Sequence, residues 1–297
     1  MVGQNRWTPV EVGIGLLVCL CSLAVACGPR NDATPTPDID DAIAATNGFV
    51  WQDLLTDDPE ASAAFYGDLL GWEFETSSRF GEQYLLARTV LGYIGGIAHV
   101  ERTEPDIPVA QWLSYLQVKD VNGAVTAATQ LGGRVLVEPV DFNGGEVAVM
   151  ADRQNALFGL ASRELGLPDR DPRVAPRGTF FWRDYVTENV QDAQMFYSMV
   201  TGFDSERQRR SDDVPHYVLV AAREIGGIVP ISSDQRDAID ANWLPYIRVV
   251  DPLRLARRAE ALGGQILLRP RPELRNGSLA IIADPQGAAI ALQRYPQ

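Results

Sequence analysis

The feature that most constrains this 297-residue chain is a long internal repeat. Five short motifs return 131 residues later, in the same order. The pairs are Phe49-Val50-Trp51-Gln52-Asp53 with Phe180-Phe181-Trp182-Arg183-Asp184, Phe65-Tyr66 with Phe196-Tyr197, Gly95-Gly96-Ile97 with Gly226-Gly227-Ile228, Trp112-Leu113-x-Tyr115 with Trp243-Leu244-x-Tyr246, and Leu131-Gly132-Gly133 with Leu262-Gly263-Gly264. A solenoid unit runs about 20–50 residues, so this repeat is too long to be one. It predicts two copies of one globular domain, and a pocket built twice.

Each copy is predicted to contain two units of one strand, one helix and three strands. Residues 49–55 are aromatic and apolar, which is typical of a strand. Asp58 can cap the following helix with Pro59 at its first position, and Gly71 ends it. The pattern recurs from residue 112, with Asp120 as the second cap. The chain is therefore predicted to be α+β, with four such units paired into two domains.

A tight turn is predicted between the last two strands of each copy. The second copy has Asp284-Pro285-Gln286-Gly287 there, and the first has Asp152-Arg153-Gln154-Asn155. Asn155 is expected to adopt the left-handed conformation that glycine adopts at Gly287.

The first 26 residues are predicted to be a signal peptide. Residues 12–26 form an apolar run that is short for a bilayer span of about twenty residues. The run ends in Leu23-Ala24-Val25-Ala26-Cys27, which resembles a bacterial lipoprotein signal with Cys27 as the lipidated residue. A plain signal peptide or an uncleaved anchor is the alternative. Residues 27–46, rich in proline and aspartate, are predicted to be a tether.

The charge and the cysteine content exclude several classes of function. A net charge of −13 disfavours nucleic acid and anionic lipid surfaces as direct partners. All three cysteines lie in the first 27 residues, so neither copy has a disulfide, a cysteine zinc site or a thiol nucleophile. The two histidines, His99 and His216, are not repeated, and each is interpreted as an ordinary strand or loop side chain.

Together the motifs resemble the vicinal oxygen chelate superfamily, which includes glyoxalase I, bleomycin-resistance proteins and extradiol dioxygenases. The resemblance implies two tandem glyoxalase-like domains, at residues 47–163 and 178–297, joined by a linker at 164–177. In each, two βαβββ modules would form a curled sheet around a cavity. The arrangement resembles a tandem branch known mostly in bacteria. The motifs are specific for the fold and weak for the reaction.

Metal-dependent members of this superfamily hold their ion with four side chains from the curled sheet. Carried onto this chain, those positions fall on residues that lack suitable donors: Trp51 and Trp182, Gly95-Gly96 and Gly226-Gly227, Leu113 and Leu244, and Gly159 and Ala291. Catalytic divalent sites usually need three His or carboxylate ligands. We therefore expect no metal and no other cofactor.

Strand alternation predicts what faces each cavity. If Trp51 faces inward, so do Phe49, Asp53 and Leu55, whereas Val50, Gln52 and Leu54 pack against the helix. The partner strand would add Leu113, Tyr115 and Gln117, and the second copy Trp182, Asp184, Leu244, Tyr246 and Arg248. The predicted ligand-binding residues are Trp51, Asp53, Tyr115, Trp182, Asp184 and Tyr246. Stacking and cation–π attraction would suit a small organic molecule. The alternative is that these aromatic residues simply fill the cavity.

Three functions remain open from the sequence. The first is metal-free binding of a small organic molecule, as in bleomycin-resistance proteins, by a protein anchored in the cell envelope through Cys27 or secreted in soluble form. The second is a divergent lyase, isomerase or hydroxylase-like enzyme with Asp53 or Asp184 as the acid–base group; no nucleophile–base pair stands out, so the catalytic residues are unknown. The third is a structural module with filled cavities. The domains would pair within one chain or between two chains of a homodimer.

Overall fold

A computed structural model describes residues 48–77, 84–101, 110–142, 144–163, 165, 173–208, 216–221, 223–232 and 239–295. The predicted signal peptide and tether, including Cys27, lie outside these residues. Within the described part of the chain, no helix is long and apolar enough to cross a membrane.

Each repeat forms one mixed sheet of eight strands. The strands of the first sheet are β1 (Phe49–Thr56), β2 (Glu73–Thr76), β3 (Tyr84–Thr89), β4 (Gly92–His99), β5 (Gln111–Gln117), β6 (Arg134–Phe142), β7 (Gly145–Ala151) and β8 (Leu157–Ala161), in the order β2-β3-β4-β1-β5-β8-β7-β6. Its helices are α1 (Pro59–Leu70) and α2 (Val121–Gln130). Strand β1 pairs parallel to β4 and antiparallel to β5, and β5 pairs parallel to β8.

The second sheet repeats this order strand for strand. It contains β9 (Phe180–Thr187), β10 (Asp204–Gln208), β11 (His216–Val220), β12 (Glu224–Pro230), β13 (Asn242–Arg248), β14 (Gln265–Leu268), β15 (Leu279–Ala283) and β16 (Ala289–Gln293), in the order β10-β11-β12-β9-β13-β16-β15-β14. Its helices are α3 (Val190–Thr201) and α4 (Pro252–Ala261). The α+β prediction of two tandem, two-module sheets is confirmed. The finer domain boundaries stay predictions.

Local chemistry sets the helix ends where the sequence predicts them. The Asp58 carboxylate accepts the Ala61 N–H at 2.9 Å, Pro59 begins α1, and Gly71 follows it in the left-handed region with φ +74°. Asp120 caps α2 in the same way. In the predicted turn, Asn155 has φ +65°, and Gly287 has φ +106° at the corresponding place.

The two sheets pack back to back within the chain, with the helices completing the layer between them. One apolar core joins the second half of the first repeat to the first half of the second, and includes Leu116, Phe158, Phe196 and Trp243. A second core joins the first and last quarters of the fold. Gln52 and Arg183 occupy equivalent positions in the two repeats. They meet between the sheets, where Arg183 Nε donates to Gln52 Oε1 at 3.3 Å.

The aspartate of each predicted turn also joins the two repeats. Oδ1 of Asp152 accepts the backbone N–H groups of Gln154 and Ala156, at 2.8 and 3.0 Å. Its Oδ2 accepts hydrogen bonds across the interface from the hydroxyls of Tyr185, at 2.5 Å, and Tyr197, at 2.9 Å. Asp284 makes the equivalent turn contacts at 2.9 Å and faces Tyr66 of the first repeat. These turns therefore also hold the two domains together.

Candidate functional site

The first concave face brings Trp51, Asp53 and Tyr115 together, as predicted. Oδ1 of Asp53 accepts Trp51 Nε1–H at 2.7 Å, and Oδ2 accepts the Tyr115 hydroxyl at 3.0 Å. Tyr84 joins this cluster and was missed by the sequence argument. Its hydroxyl donates to Asp53 Oδ1 at 2.6 Å and accepts from Trp51 Nε1 at 3.1 Å. Because Tyr84 has Pro215 at its repeat position, a search for repeated residues could not find it.

The second concave face brings Trp182, Asp184 and Tyr246 together in the same way. Oδ1 of Asp184 accepts Trp182 Nε1–H at 2.7 Å, and Oδ2 accepts the Tyr246 hydroxyl at 2.6 Å. Arg275 is the residue that the sequence argument missed here. Its guanidinium forms an ion pair with Asp184 Oδ2 at 2.8 Å and lies 5.1 Å from the centre of the Tyr246 ring. The two clusters therefore share three residues and differ in the fourth.

Two residues of β1 face the opposite way from the prediction. Val50 lies on the concave face, and Phe49 lies on the back face, where its ring centroid is 5.2 Å from that of Trp243. The pairing of β1 with β5 shifts register between Phe49 and Trp51, so the strict alternation assumed from the sequence breaks at this bulge. Beyond it, Asp53 and Leu55 keep the predicted direction.

The concave clusters are formed by strands and short connecting segments. Among the described residues, neither cluster includes a residue of the α-helices; Arg275 of the second cluster begins a short 3₁₀ helix, Arg275–Gly277. Trp51, Asp53 and Tyr115 are 5%, 6% and 8% exposed, which is close to the 6% exposure of Trp112 on the back face. The three residues of the first cluster are therefore buried, with a small remaining exposure.

Burial governs the acid–base chemistry of the first cluster. Desolvation raises the pKa of Asp53 above its usual value, and the hydrogen bonds from Tyr84, Trp51 and Tyr115 lower it in part. Burial and the nearby Asp53 charge raise the pKa values of Tyr84 and Tyr115 well above that of a free tyrosine. The tyrosines therefore serve as neutral hydrogen-bond donors at physiological pH.

This shift predicts the pH dependence of an Asp53→Asn variant. Because the folded pKa of Asp53 is raised, the folded state binds the proton more tightly than the unfolded chain does. Wild type should gain stability relative to Asp53→Asn as pH falls through the folded pKa, until the unfolded value is reached. Urea unfolding of both proteins between pH 8 and about 4 checks this. A difference that is constant, or that shrinks with falling pH, would contradict the raised pKa.

The positions at which the resemblance implies metal ligands are neighbours of this cluster in the first sheet. In the sheet register, Asp53 lies opposite Gly96 and Leu113, and Tyr115 lies opposite Gly159. Aromatic groups fill the space there. A Cβ at residue 96 would lie 1.9 Å from the Tyr84 hydroxyl, and one at residue 159 would lie 2.2 Å from the Tyr115 ring.

The residues present do not fit a catalytic divalent ion. Such an ion needs about three His or carboxylate ligands around an open position. The first cluster offers one carboxylate, and its neighbours are N–H and O–H donors. In the part of the chain that the structure describes, no three His, Cys, Asp or Glu side chains are grouped to hold a metal.

Comparison with known proteins identifies a glyoxalase-like domain in the first repeat. Residues 50–161 match the family model described as a glyoxalase-like domain. A Mycobacterium tuberculosis protein that carries the name "Putative glyoxylase CFP32" is 28% identical over 254 residues, which cover 83% of this chain and 95% of that protein. The anthracycline biosynthesis protein DnrV of Streptomyces peucetius is 27% identical over 264 residues, covering 82% and 91% of the two chains.

Solved structures with the same fold include a Mn(II)-bound glyoxalase and a dioxygenase. The Mn(II)-bound glyoxalase from Novosphingobium aromaticivorans has a TM-score of 0.55 at 15% identity, and the match covers 85% of this chain and 83% of that one. The 2,3-dioxygenase LapB from Pseudomonas sp. KL28 has a TM-score of 0.55 at 13% identity, covering 85% and 96%. At these identities the likeness concerns the fold alone. Residues 50–161 therefore form a glyoxalase-like domain, and the second repeat forms a sheet of the same topology, so the chain has the fold of a tandem glyoxalase-like protein.

Proposed function

We propose that this protein binds a small organic molecule on a concave sheet face without a metal ion. The observation that carries the proposal is the Trp–Asp–Tyr cluster, which is built twice, beside the positions at which the resemblance implies metal ligands. In each copy, one carboxylate accepts hydrogen bonds from the tryptophan and the tyrosine: Asp53 from Trp51 and Tyr115, and Asp184 from Trp182 and Tyr246. The cluster replaces metal coordination with fixed aromatic faces and hydrogen-bonding groups.

The chemistry of the first face suits an amphipathic ligand. The indole of Trp51 and the ring of Tyr115 are planar apolar surfaces on which a ligand can pack. The hydroxyls and the carboxylate can orient that ligand through hydrogen bonds. Hydrogen bonds fix all these groups before a ligand arrives, which lowers the entropic cost of binding. The name of the relative DnrV, an anthracycline biosynthesis protein, is consistent with a planar polycyclic ligand.

Native mass spectrometry of the full-length protein, purified in mild detergent without chelators, tests the proposal. The expected result is a chain that carries an organic mass and no divalent ion. Asp53→Asn and Trp51→Phe should reduce the occupancy, whereas Met195→Leu, on an exposed helical position, should not. A bare chain that also binds no small aromatic molecule would support the structural alternative, in which the aromatic residues only fill the cavities.

An enzymatic role is a second candidate, favoured by the raised pKa of Asp53. A buried carboxyl with a raised pKa is suited to act as a general acid or base near neutral pH. Asp184 is less suited to this role because its ion pair with Arg275 stabilises the carboxylate. If the organic mass found by mass spectrometry is turned over, Asp53→Asn should abolish that turnover. Turnover that survives the change would exclude the mechanism.

We further propose that the mature protein is anchored in the cell envelope through a lipid on Cys27. The sequence Leu23-Ala24-Val25-Ala26-Cys27 supports this placement. In a bacterial host, wild type should partition into the detergent phase of a Triton X-114 extract, because acyl chains drive membrane association. Cys27→Ser should move the protein to the aqueous phase, and Cys21→Ser should not. Detergent partitioning that does not change in Cys27→Ser would contradict lipidation at this residue.

A further inference from the structure

The two buried carboxylates differ in the charge of their neighbours. Asp53 has three neutral donors, namely Trp51 and Tyr84 on Oδ1 and Tyr115 on Oδ2. Asp184 receives Trp182 on Oδ1 and Tyr246 on Oδ2, and its Oδ2 also receives the Arg275 guanidinium at 2.8 Å. In the described part of the chain, Asp53 forms no ion pair with a cationic side chain. One cluster therefore contains its own cation and the other does not.

Arg275 reaches Asp184 because the second sheet ends differently from the first. In the first sheet, β6 pairs with β7 as far as Phe142 and Gly145, which are three positions apart in the chain. In the second, the paired part of β14 ends at Leu268, and the following residues leave the sheet before β15 begins. Arg275 lies in this segment with φ +47°, a left-handed conformation that is uncommon for a residue other than glycine. The fold keeps this local strain and places a guanidinium in the cavity.

The guanidinium of Arg275 makes three kinds of contact there. It pairs with Asp184 Oδ2, lies 5.1 Å from the centre of the Tyr246 ring, and donates to Gln293 Oε1 at 3.1 Å. This combination of a carboxylate with an aromatic face is a favourable environment for a planar organic cation. In the second cavity, the Arg275 guanidinium therefore shows that a Trp–Asp–Tyr cluster can bind a planar cationic group.

The carboxylate and the tyrosine are more exposed in the first cluster than in the second, whereas Trp51, at 5%, and Trp182, at 7%, are alike. Asp53 and Tyr115 are 6% and 8% exposed, compared with 1% and 3% for Asp184 and Tyr246 under Arg275. Oδ2 of Asp53 accepts one hydrogen bond where Oδ2 of Asp184 accepts two. Removing a carboxylate from water costs free energy, and a cation that pairs with the carboxylate offsets part of that cost.

We propose that the first concave cavity binds the cationic group of a small organic molecule, an amidinium, guanidinium or ammonium, against Asp53 and over the ring of Tyr115. That group takes the place that Arg275 takes in the second cavity. The inference rests on the proposed ligand-binding function and narrows it to basic ligands of the first cavity. The second cavity is then occupied by Arg275 and has a structural role only.

Benzamidine, benzamide and benzoate are matched probes, because they share a ring and differ in charge. We expect the full-length protein, titrated by ligand-observed NMR at pH 7.5, to bind one benzamidinium per chain. The affinity should exceed that for benzamide by roughly tenfold to a hundredfold, the usual gain from a hydrogen bond between charged groups. Benzoate should not bind. Asp53→Asn should reduce benzamidinium affinity to that of benzamide, and Trp72→Phe, on the back face, should leave it unchanged.

Two further measurements separate this site from nonspecific attraction to an acidic protein. The benzamidinium affinity should fall as pH is lowered, because protonation of Asp53, whose pKa is raised by burial, removes the charge. Arg275→Gly should raise the stoichiometry from one to two, because glycine tolerates the backbone at residue 275 and Asp184 then lacks its cation.

The outcomes distinguish this inference from the broader binding proposal. Benzamide or benzoate binding as tightly as benzamidinium, with no effect of Asp53→Asn, would overturn the cation site and leave metal-free ligand binding standing. Failure of all three probes to bind would overturn the cation site, and a bare chain in native mass spectrometry would then count against the binding function too.

Discussion

Replacing Asp184 with Asn is expected to lower the free energy of unfolding by about 3–5 kcal/mol, the usual cost of breaking a buried ion pair from one side. The substitution leaves the Arg275 guanidinium, whose side chain is only 7% exposed, without its negative partner. Asparagine is nearly the same size and still accepts a hydrogen bond from Tyr246. The loss would therefore report the charge rather than the packing. Urea unfolding at pH 7.5 and low salt measures it.

The first repeat supplies a matched control for this prediction. Asp53→Asn makes the same change at the equivalent position, where the neighbours are the neutral donors Trp51, Tyr84 and Tyr115. Its expected cost at pH 7.5 is about 1 kcal/mol, because no cation is left unpaired. In addition, Arg275→Gly in the Asp184→Asn background should restore part of the lost stability. Equal costs for Asp53→Asn and Asp184→Asn would contradict the proposed difference between the cavities.

Replacing Asp152 with Ala is expected to cost about 3 kcal/mol or more, because several buried groups lose their partner at once. The hydroxyls of Tyr185 and Tyr197, both buried, would lose the acceptor that joins them to the first repeat. The backbone N–H groups of Gln154 and Ala156 would lose theirs within the turn. We expect the wild type to unfold in one transition and Asp152→Ala in two, since this carboxylate lies on the interface between the domains.

Further variants of this contact measure how much each hydrogen bond of Asp152 contributes to the stability lost in Asp152→Ala. Asp152→Asn keeps an acceptor and should cost less than Asp152→Ala. Tyr185→Phe and Tyr197→Phe each remove one hydrogen bond and should cost about 1 kcal/mol. Calorimetry of wild type and the four variants compares the number of unfolding transitions and their midpoint temperatures. If Asp152→Ala unfolds in one transition at the wild-type temperature, the turn does not hold the domains together.

The repeat predicted much of the fold because local chemistry and tertiary packing agree in it. The Asp58 cap and the Gly71 stop bound α1 as the sequence indicates, and Asn155 takes the left-handed conformation expected at its turn. The core of the site was also predictable, since a period of two places Trp51 and Asp53 on one face of the strand. The second copy repeats this arrangement.

The unpredicted parts of the site arise where the two copies differ or where a strand is irregular. Tyr84 and Arg275 have no repeated counterpart in the sequence. Only the tertiary structure shows that they contact Asp53 and Asp184. Phe49 turned to the back face because a bulge in β1 breaks the alternation, and nothing in the residue types of β1 marks that bulge. The same irregular positions also make the two cavities chemically different.

Metal binding by the full-length protein is the most direct test of the central claim that an aromatic–carboxylate cluster has replaced the metal site. The protein would be dialysed against Mn²⁺, Fe²⁺, Ni²⁺ and Zn²⁺ in turn, and its metal content measured by plasma mass spectrometry. We expect metal well below one ion per chain, with the same unfolding temperature in every buffer. One tightly bound ion per domain, lost on Asp53→Asn or Asp184→Asn, would contradict the account.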